Sequence, residues 1–263
     1  MFHPLKEITG WQDDSVMSME KTACGRHENC VVFITHKLDA PMLRYLSYLK
    51  KETEKIMDFV VLYDDSSQDL NPEEYPDFQF HVFNSSKLAG FFHYGERRLP
   101  NPLVALLDFS KKSEYKHYLL MENDIVFTGE MAEFIRNINA IDADSIHIAT
   151  DILGGPENHW PINYIKNSPF KNLYFSWCQL FYISHRYLTD LHAFMKENDS
   201  FYYEFLLPTM AYNNGYSVRQ FENLGYQFQL SWGPVEIFEY KYQNERTHNT
   251  FYHPIKNLDI IDM

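Results

Sequence analysis

The chain has 263 residues, 45% of them hydrophobic, enough to bury one large α/β core or two closely packed halves without disulfide or metal staples. Its net charge of -13, from 36 acidic and 23 basic side chains, argues against nucleic acid or an anionic membrane as a general partner, because a like-charged surface gains nothing from either. Three scattered cysteines, Cys24, Cys30 and Cys178, exclude a disulfide framework and point to a reducing compartment. The start, MFHPLKEITGWQDD, lacks a basic region followed by an apolar one, and no apolar run is long enough to cross a bilayer. The expectation is a soluble, cytoplasmic protein that meets a membrane only through a partner.

Residues 1–29 are polar and aperiodic and read as an extension either laid over the domain or left mobile. CVVFITH (30–36) is a short β-branched run, the pattern of a buried strand. Asp39 and Pro41 then signal a helix start, and Met42, Leu46 and Leu49 recur at helical spacing. DFVVLYDDSS (58–67) and FQFHVFNSS (78–86) predict two further strands, each ending in polar residues. A helix is expected over 102–112, a strand in YLLMENDIVFTG (118–129), a helix over 130–139 and a strand in SIHIAT (145–150). Strands alternating with helices predict a mostly parallel, Rossmann-like sheet whose ligands sit beyond the strands' carboxyl ends.

The second half is less regular. LGGPENHWPINYIKNSPF (153–170) reads as a binding loop or lid. WCQLFYIS (177–184) predicts a strand and 185–196 a helix, followed by a second helix with Pro208 near its start and Gly215 near its end, then a strand over 217–221.

The polar strand end at Glu122, Asn123 and Asp124 is the most informative feature. In extended chain Glu122 and Asp124 share one face, so both carboxylates can present oxygens to one hard divalent cation, Mn2+ or Mg2+, while Asn123 points the other way. The bland reading is a strand-end turn with solvated acids. Polar clusters also close the other strands, at Thr35 to Lys37, Asp64 to Ser67 and Asn84 to Lys87, and together they favour one shared crevice.

VVFITHK (31–37), VVLYDDSS (60–67), YLLMENDIVFTG and FYHPIK (251–256) carry a resemblance to the GT-A type glycosyltransferases. The resemblance implies a single GT-A-like catalytic domain over 30–263, with a nucleotide-binding half (30–130) and an acceptor-binding half (131–263). It implies transfer of a sugar from a nucleotide-diphosphate donor, a UDP-sugar first, to a glycan or lipid-linked acceptor, as in polysaccharide biosynthesis. Glu-Asn-Asp stands where that family commonly has D-x-D, a departure at Glu122. The same resemblance makes Glu122, Asp124 and His253 the metal ligands, and Thr35, Asp64 or Asp65, Lys87, Asn123 and Lys256 the nucleotide contacts. Imidazole suits Mn2+ better than Ca2+.

An inverting transfer needs a base for the acceptor hydroxyl. Glu204, among the aromatics of FYYEFLLPT, resembles the family's acidic residue in that role, with burial raising its pKa, and Asp151 is the reserve. Asn158, His159 and Trp160, with Tyr164 and Trp177, are the candidate sugar-reading residues. Two other readings stand beside this one: a non-catalytic carbohydrate- or nucleotide-binding protein of the same fold, and a nucleotidyltransferase. The latter should carry a Gly- and basic-rich phosphate loop, which VVFITHKLDAP lacks.

Overall fold

A computed structural model describes residues 25–88, 92–94, 97–99, 102–149, 151–152, 168–198, 202–231 and 233–262, with 92–94, 97–99 and 151–152 described by backbone alone. The candidate residues Asn158, His159, Trp160 and Tyr164 lie outside the described residues, as does most of the proposed extension.

The first half follows the predicted order closely. Strand β1 (Asn29–Thr35) leads to helix α1 (Ala40–Thr53), whose N-cap Asp39 accepts from Met42 N–H at 3.0 Å with Pro41 in the first turn. Then come β2 (Asp58–Asp64), β3 (Gln79–Phe83), the short pair β4 (Phe92–Tyr94) and β5 (Arg97–Leu99), and α2 (Pro102–Ser110). β6 (His117–Glu122) ends at Glu122, and Asn123 and Asp124 turn the chain into β7 (Val126–Phe127) and α3 (Met131–Asn139). The second half runs β8 (Ser145–His147), β9 (Asp151–Ile152), β10 (Tyr174–Phe175), β11 (Leu180–Ser184), α4 (His185–Glu197), α5 (Tyr203–Asn213), β12 (Val218–Gln220), β13 (Gln227–Leu230), α6 (Val235–Asn244) and β14 (Thr250–His253).

Among the described residues seven strands form the central sheet in the order β12-β8-β11-β6-β1-β2-β3, and of these only β11 runs against the rest. This is the mixed α/β architecture expected, a mostly parallel sheet flanked by helices. The pleat sorts the core into two layers. Val31, Phe33, Val61, Leu119 and Met121 face α1, α3 and the small sheet, whereas Val32, Val60, Leu62, Leu120 and Phe181 face α2, α4 and α5. Runs apolar on both faces are what a sheet covered on both sides requires.

Two elements depart from expectation. α5 starts at Tyr203, so Pro208 stands in its interior. Proline there removes the N–H that the Glu204 carbonyl would accept, and Ser176 N–H supplies the bond instead at 3.0 Å, tying the segment after β10 to the helix. Gly215 does end the helix in a left-handed conformation, φ 71°. Among the described residues β13 and β14, near the end of the chain, also join β7 in a second, three-stranded sheet, β13-β14-β7, that the sequence pattern did not announce. An aromatic cluster stitches it to α3: Phe127 stacks on Phe251 at 4.3 Å, and Phe134 meets Tyr226 edge-on at 4.9 Å. Among the described residues no helix is long and apolar enough to cross a membrane.

Candidate functional site

Because β1, β2, β3 and β6 are parallel, their carboxyl ends lie along one edge of the sheet. Glu122 is level with Ile34 of β1, and Thr35 with Tyr63 of β2. Two strand gaps separate β6 from β2, so Asp64 and Glu122 stand roughly 12 Å apart on that edge, from strand spacing and rise. All four predicted polar clusters follow these strands.

Glu122, Asp124 and His253 converge there, with one potential ligand atom from each within 4.8 Å of the others. The extended-strand reason given for the two carboxylates does not hold, since the strand stops at Glu122 and Asp124 lies in the turn. Convergence comes from the turn and from β14. β7 pairs antiparallel with β14, Phe251 opposite Phe127 and Tyr252 opposite Val126, which brings His253 alongside the turn. Ile255 N–H donates to the Asp124 carbonyl at 2.9 Å and locks the two segments together. His253 Nε2 then lies 3.2 Å from Asp124 Oδ1 and 3.9 Å from Glu122 Oε2. Its Nδ1 is buried without a hydrogen-bond partner among the described residues. Lys256 Nζ donates to Asp124 Oδ2.

The two carboxyls are driven apart electrostatically. Burial and the neighbouring Asp124 charge push Glu122 above the usual carboxylate range, against the pull of His253 and the hydrogen bond from Tyr203. Burial also disfavours the Asp124 anion, but the His253 contact and Lys256 outweigh it and hold Asp124 below its ordinary value. Two carboxylate oxygens and an imidazole nitrogen suit Mn2+ or Mg2+, and the imidazole tilts the choice toward Mn2+.

Behind these residues stands a polar wall that the sequence did not reveal. The even-numbered residues of β6 face α5, so Glu122 meets Tyr203 there, whose hydroxyl donates to Glu122 Oε1 at 3.0 Å. Gln179 accepts from Glu122 N–H through its main-chain carbonyl at 2.9 Å and donates from its side-chain amide to Glu204 Oε1 at 2.9 Å. Glu204 is 0% exposed, in the first turn of α5, and burial followed by the Glu122 charge raises its pKa well above an ordinary glutamate. No signal picks Tyr203 out of three consecutive aromatics in FYYEF, and Gln179 looks like any residue before a strand.

The remaining predicted residues fall as follows. Thr35 is buried, its hydroxyl donating to Lys37 O at 3.1 Å. Asp64 Oδ1 accepts from Ser66 and Ser85 N–H, both at 3.0 Å, and these bonds lower its pKa although burial opposes them. Asp65 accepts from the Asn84 amide at 2.8 Å, joining the β2 and β3 ends. Lys87 is exposed in the turn after β3, and Asn123 is partly buried beside Asp124. Trp177 is partly buried, edge-on to Phe175 at 5.4 Å, and packs against both core layers. Asp151 pairs with Phe175 through β9 and β10, and its side chain lies outside the description.

No protein-family profile and no curated protein matches the sequence. Among solved structures the chain is similar to a protein described as a glucose-1-phosphate thymidylyltransferase from Bacillus anthracis, with TM-score 0.44 and 9% identity over 73% of this chain and 86% of that one. It is similar to the galactosyltransferase LgtC in complex with donor and acceptor sugar analogues, with TM-score 0.42 and 11% identity over 73% and 72%. It is also similar to the glycosyltransferase GlyE of Streptococcus pneumoniae, with TM-score 0.43 and 9% identity over 87% of this chain and 54% of that one. The neighbours are thus glycosyltransferases and nucleotidyltransferases, at similarities too low to assign an activity.

Proposed function

We propose that this chain is a glycosyltransferase that moves a sugar from a nucleotide-diphosphate donor, a UDP-sugar first, to a glycan or lipid-linked acceptor. Glu122, Asp124 and His253 hold Mn2+ or Mg2+. The observation that carries the reading is the convergence of these three side chains within 4.8 Å, beside Lys256, at the sheet edge where ligands of parallel α/β folds bind. When bound, the cation supplies charge neutralisation to the departing diphosphate. The strand ends at Thr35, Asp64 and Asp65 face the nucleoside, a carboxylate there accepting from a ribose hydroxyl or base N–H. Lys87, Asn123 and Lys256 contribute around the phosphates.

Glu204 takes a supporting role in this reading. A base must come within hydrogen-bond reach of the proton it removes, and a carboxyl at 0% exposure meets no acceptor hydroxyl. A neutral Glu204 instead braces Gln179, which in turn accepts from the Glu122 backbone. The nucleotidyltransferase reading is disfavoured by the link between β1 and α1, which has no glycine to let phosphates approach the backbone.

Transfer assays with a panel of nucleotide-diphosphate sugars and Mn2+ test the proposal. Asp124→Ala is expected to abolish transfer while the circular dichroism spectrum is retained. Unchanged turnover in that variant would remove the metal reading. Metal-dependent binding of a diphosphate with no transfer to any acceptor would instead favour a non-catalytic nucleotide-binding protein.

A further inference from the structure

Both oxygens of Asp124 are engaged within the protein, Oδ1 by His253 Nε2 at 3.2 Å and Oδ2 by the Lys256 ammonium. The two partners differ in exposure. His253 is 7% exposed and fixed in β14, whereas the Lys256 side chain is 55% exposed. The Lys256 backbone is nevertheless held: its N–H donates to Glu239 Oε1 of α6 at 3.0 Å, and the next N–H, of Asn257, donates to the same oxygen at 2.7 Å. Ile255, on the other side, is anchored to the Asp124 carbonyl. The main chain is clamped from both sides while the four-carbon arm projects into solvent, so the ammonium alone can leave Asp124 by rotation of side-chain bonds. Two carboxylates this close to each other need a positive partner, and Lys256 supplies one from within the chain.

We propose that Lys256 is an exchangeable counter-ion. Its ammonium holds Asp124 until a divalent cation takes that carboxylate, then turns outward to the phosphates of the donor. This rests on the metal and diphosphate reading of the site. In this exchange the cation displaces the lysine, so the protein resists the bare cation, and the displaced ammonium is delivered where the diphosphate arrives. The cation and the nucleotide thereby favour each other's binding, as linkage requires.

The test uses the full chain, Mn2+ and UDP. Mn2+ affinity without nucleotide is measured by electron paramagnetic resonance for the unaltered protein, Lys256→Met, Asp124→Ala and the control Lys241→Met, which removes a charge that contacts Gln229 rather than Asp124. Acetylation of Lys256 by acetic anhydride is followed in parallel by mass spectrometry. Lys256→Met is expected to bind Mn2+ about fivefold more tightly, the scale of releasing an ion pair with one exposed partner, and Lys241→Met to stay within about twofold. Acetylation of Lys256 should rise severalfold on adding Mn2+ and fall again when UDP follows. If Mn2+ binds in an Asp124-dependent way but Lys256→Met binds it no more tightly, or acetylation does not rise, the exchange is wrong and the metal site stands. Mn2+ binding that is absent, or indifferent to Asp124→Ala, overturns the metal reading and the exchange with it.

Discussion

Tyr203→Phe isolates the link between α5 and the candidate metal ligands. The ring is 3% exposed and packed in the core, so the substitution deletes one hydroxyl and leaves the packing in place. That hydroxyl donates to Glu122 Oε1 at 3.0 Å. A hydrogen bond to a charged group is worth about 1.5–3 kcal/mol, and the partial exposure of Glu122 brings the expected loss down to roughly 1–1.5 kcal/mol. The bond favours the ionised carboxyl, opposing the burial and the Asp124 charge that already raise its pKa. Losing it moves the Glu122 titration upward by about one pH unit, at 1.36 kcal/mol per unit. A cation at the proposed site requires the ionised form, so Mn2+ affinity in the unaltered protein should rise with pH through a midpoint above that of an ordinary glutamate. In Tyr203→Phe that midpoint should lie about one unit higher, with affinity below it reduced about tenfold. Mn2+ titrations from pH 5 to 8, with a matched urea denaturation, read both effects. A coincident affinity profile in the two proteins would refute the claim that Tyr203 tunes Glu122.

Glu204→Gln tests the enclosed carboxyl. A neutral amide of the same shape should keep turnover within about threefold, whereas loss of a true general base costs 10²–10⁴ and would restore Glu204 to that role. The raised pKa has a stability counterpart: the neutral acid is fully retained below the unfolded value of about 4.3, and its contribution is lost as pH rises through the folded value. Unfolding free energy of the unaltered protein should therefore decline more steeply above pH 4.5 than that of Glu204→Gln, and parallel curves would contradict a neutral, buried Glu204. Asp144 gives the opposite sign. Burial disfavours its anion, but bonds from Arg186, Ser217 and Ser184 bring its pKa down to about 2, so it stabilises above about pH 3.9 and loses that as pH falls toward 2. Asp144→Asn should remove about 2 kcal/mol at pH 7 and little at pH 2, as measured by urea denaturation at both.

The strands of the parallel sheet were legible because each is buried on both faces and so reads as a continuous apolar run closed by polar residues. The helices that cross them carry local signals, Asp39 and Pro41 at one start and Gly215 at one end. Pro208 misled because its cost inside a helix is local in sequence but was offset from elsewhere, by the Ser176 N–H that takes over the Glu204 carbonyl. The carboxylate pair was legible as a polar interruption, though for the wrong geometric reason: a turn, not a pleat, carries Asp124 to its place.

What stayed hidden depends on pairing at long sequence separation. Lys256 lies 132 residues from Asp124, and what unites them is the register of β14 on β7, fixed by Phe251 opposite Phe127 within the aromatic cluster. A one-residue slip would send Phe251 out of that cluster and turn His253 away from the carboxylates, since alternate residues face opposite sides of a strand. The same stacking that builds the core of the small sheet therefore sets the geometry of the candidate site. The resemblance in FYHPIK named His253 as a ligand, but its approach to the carboxylates depends on that register, which is decided by rings that, in the sequence, look like any of its 40 phenylalanines and tyrosines.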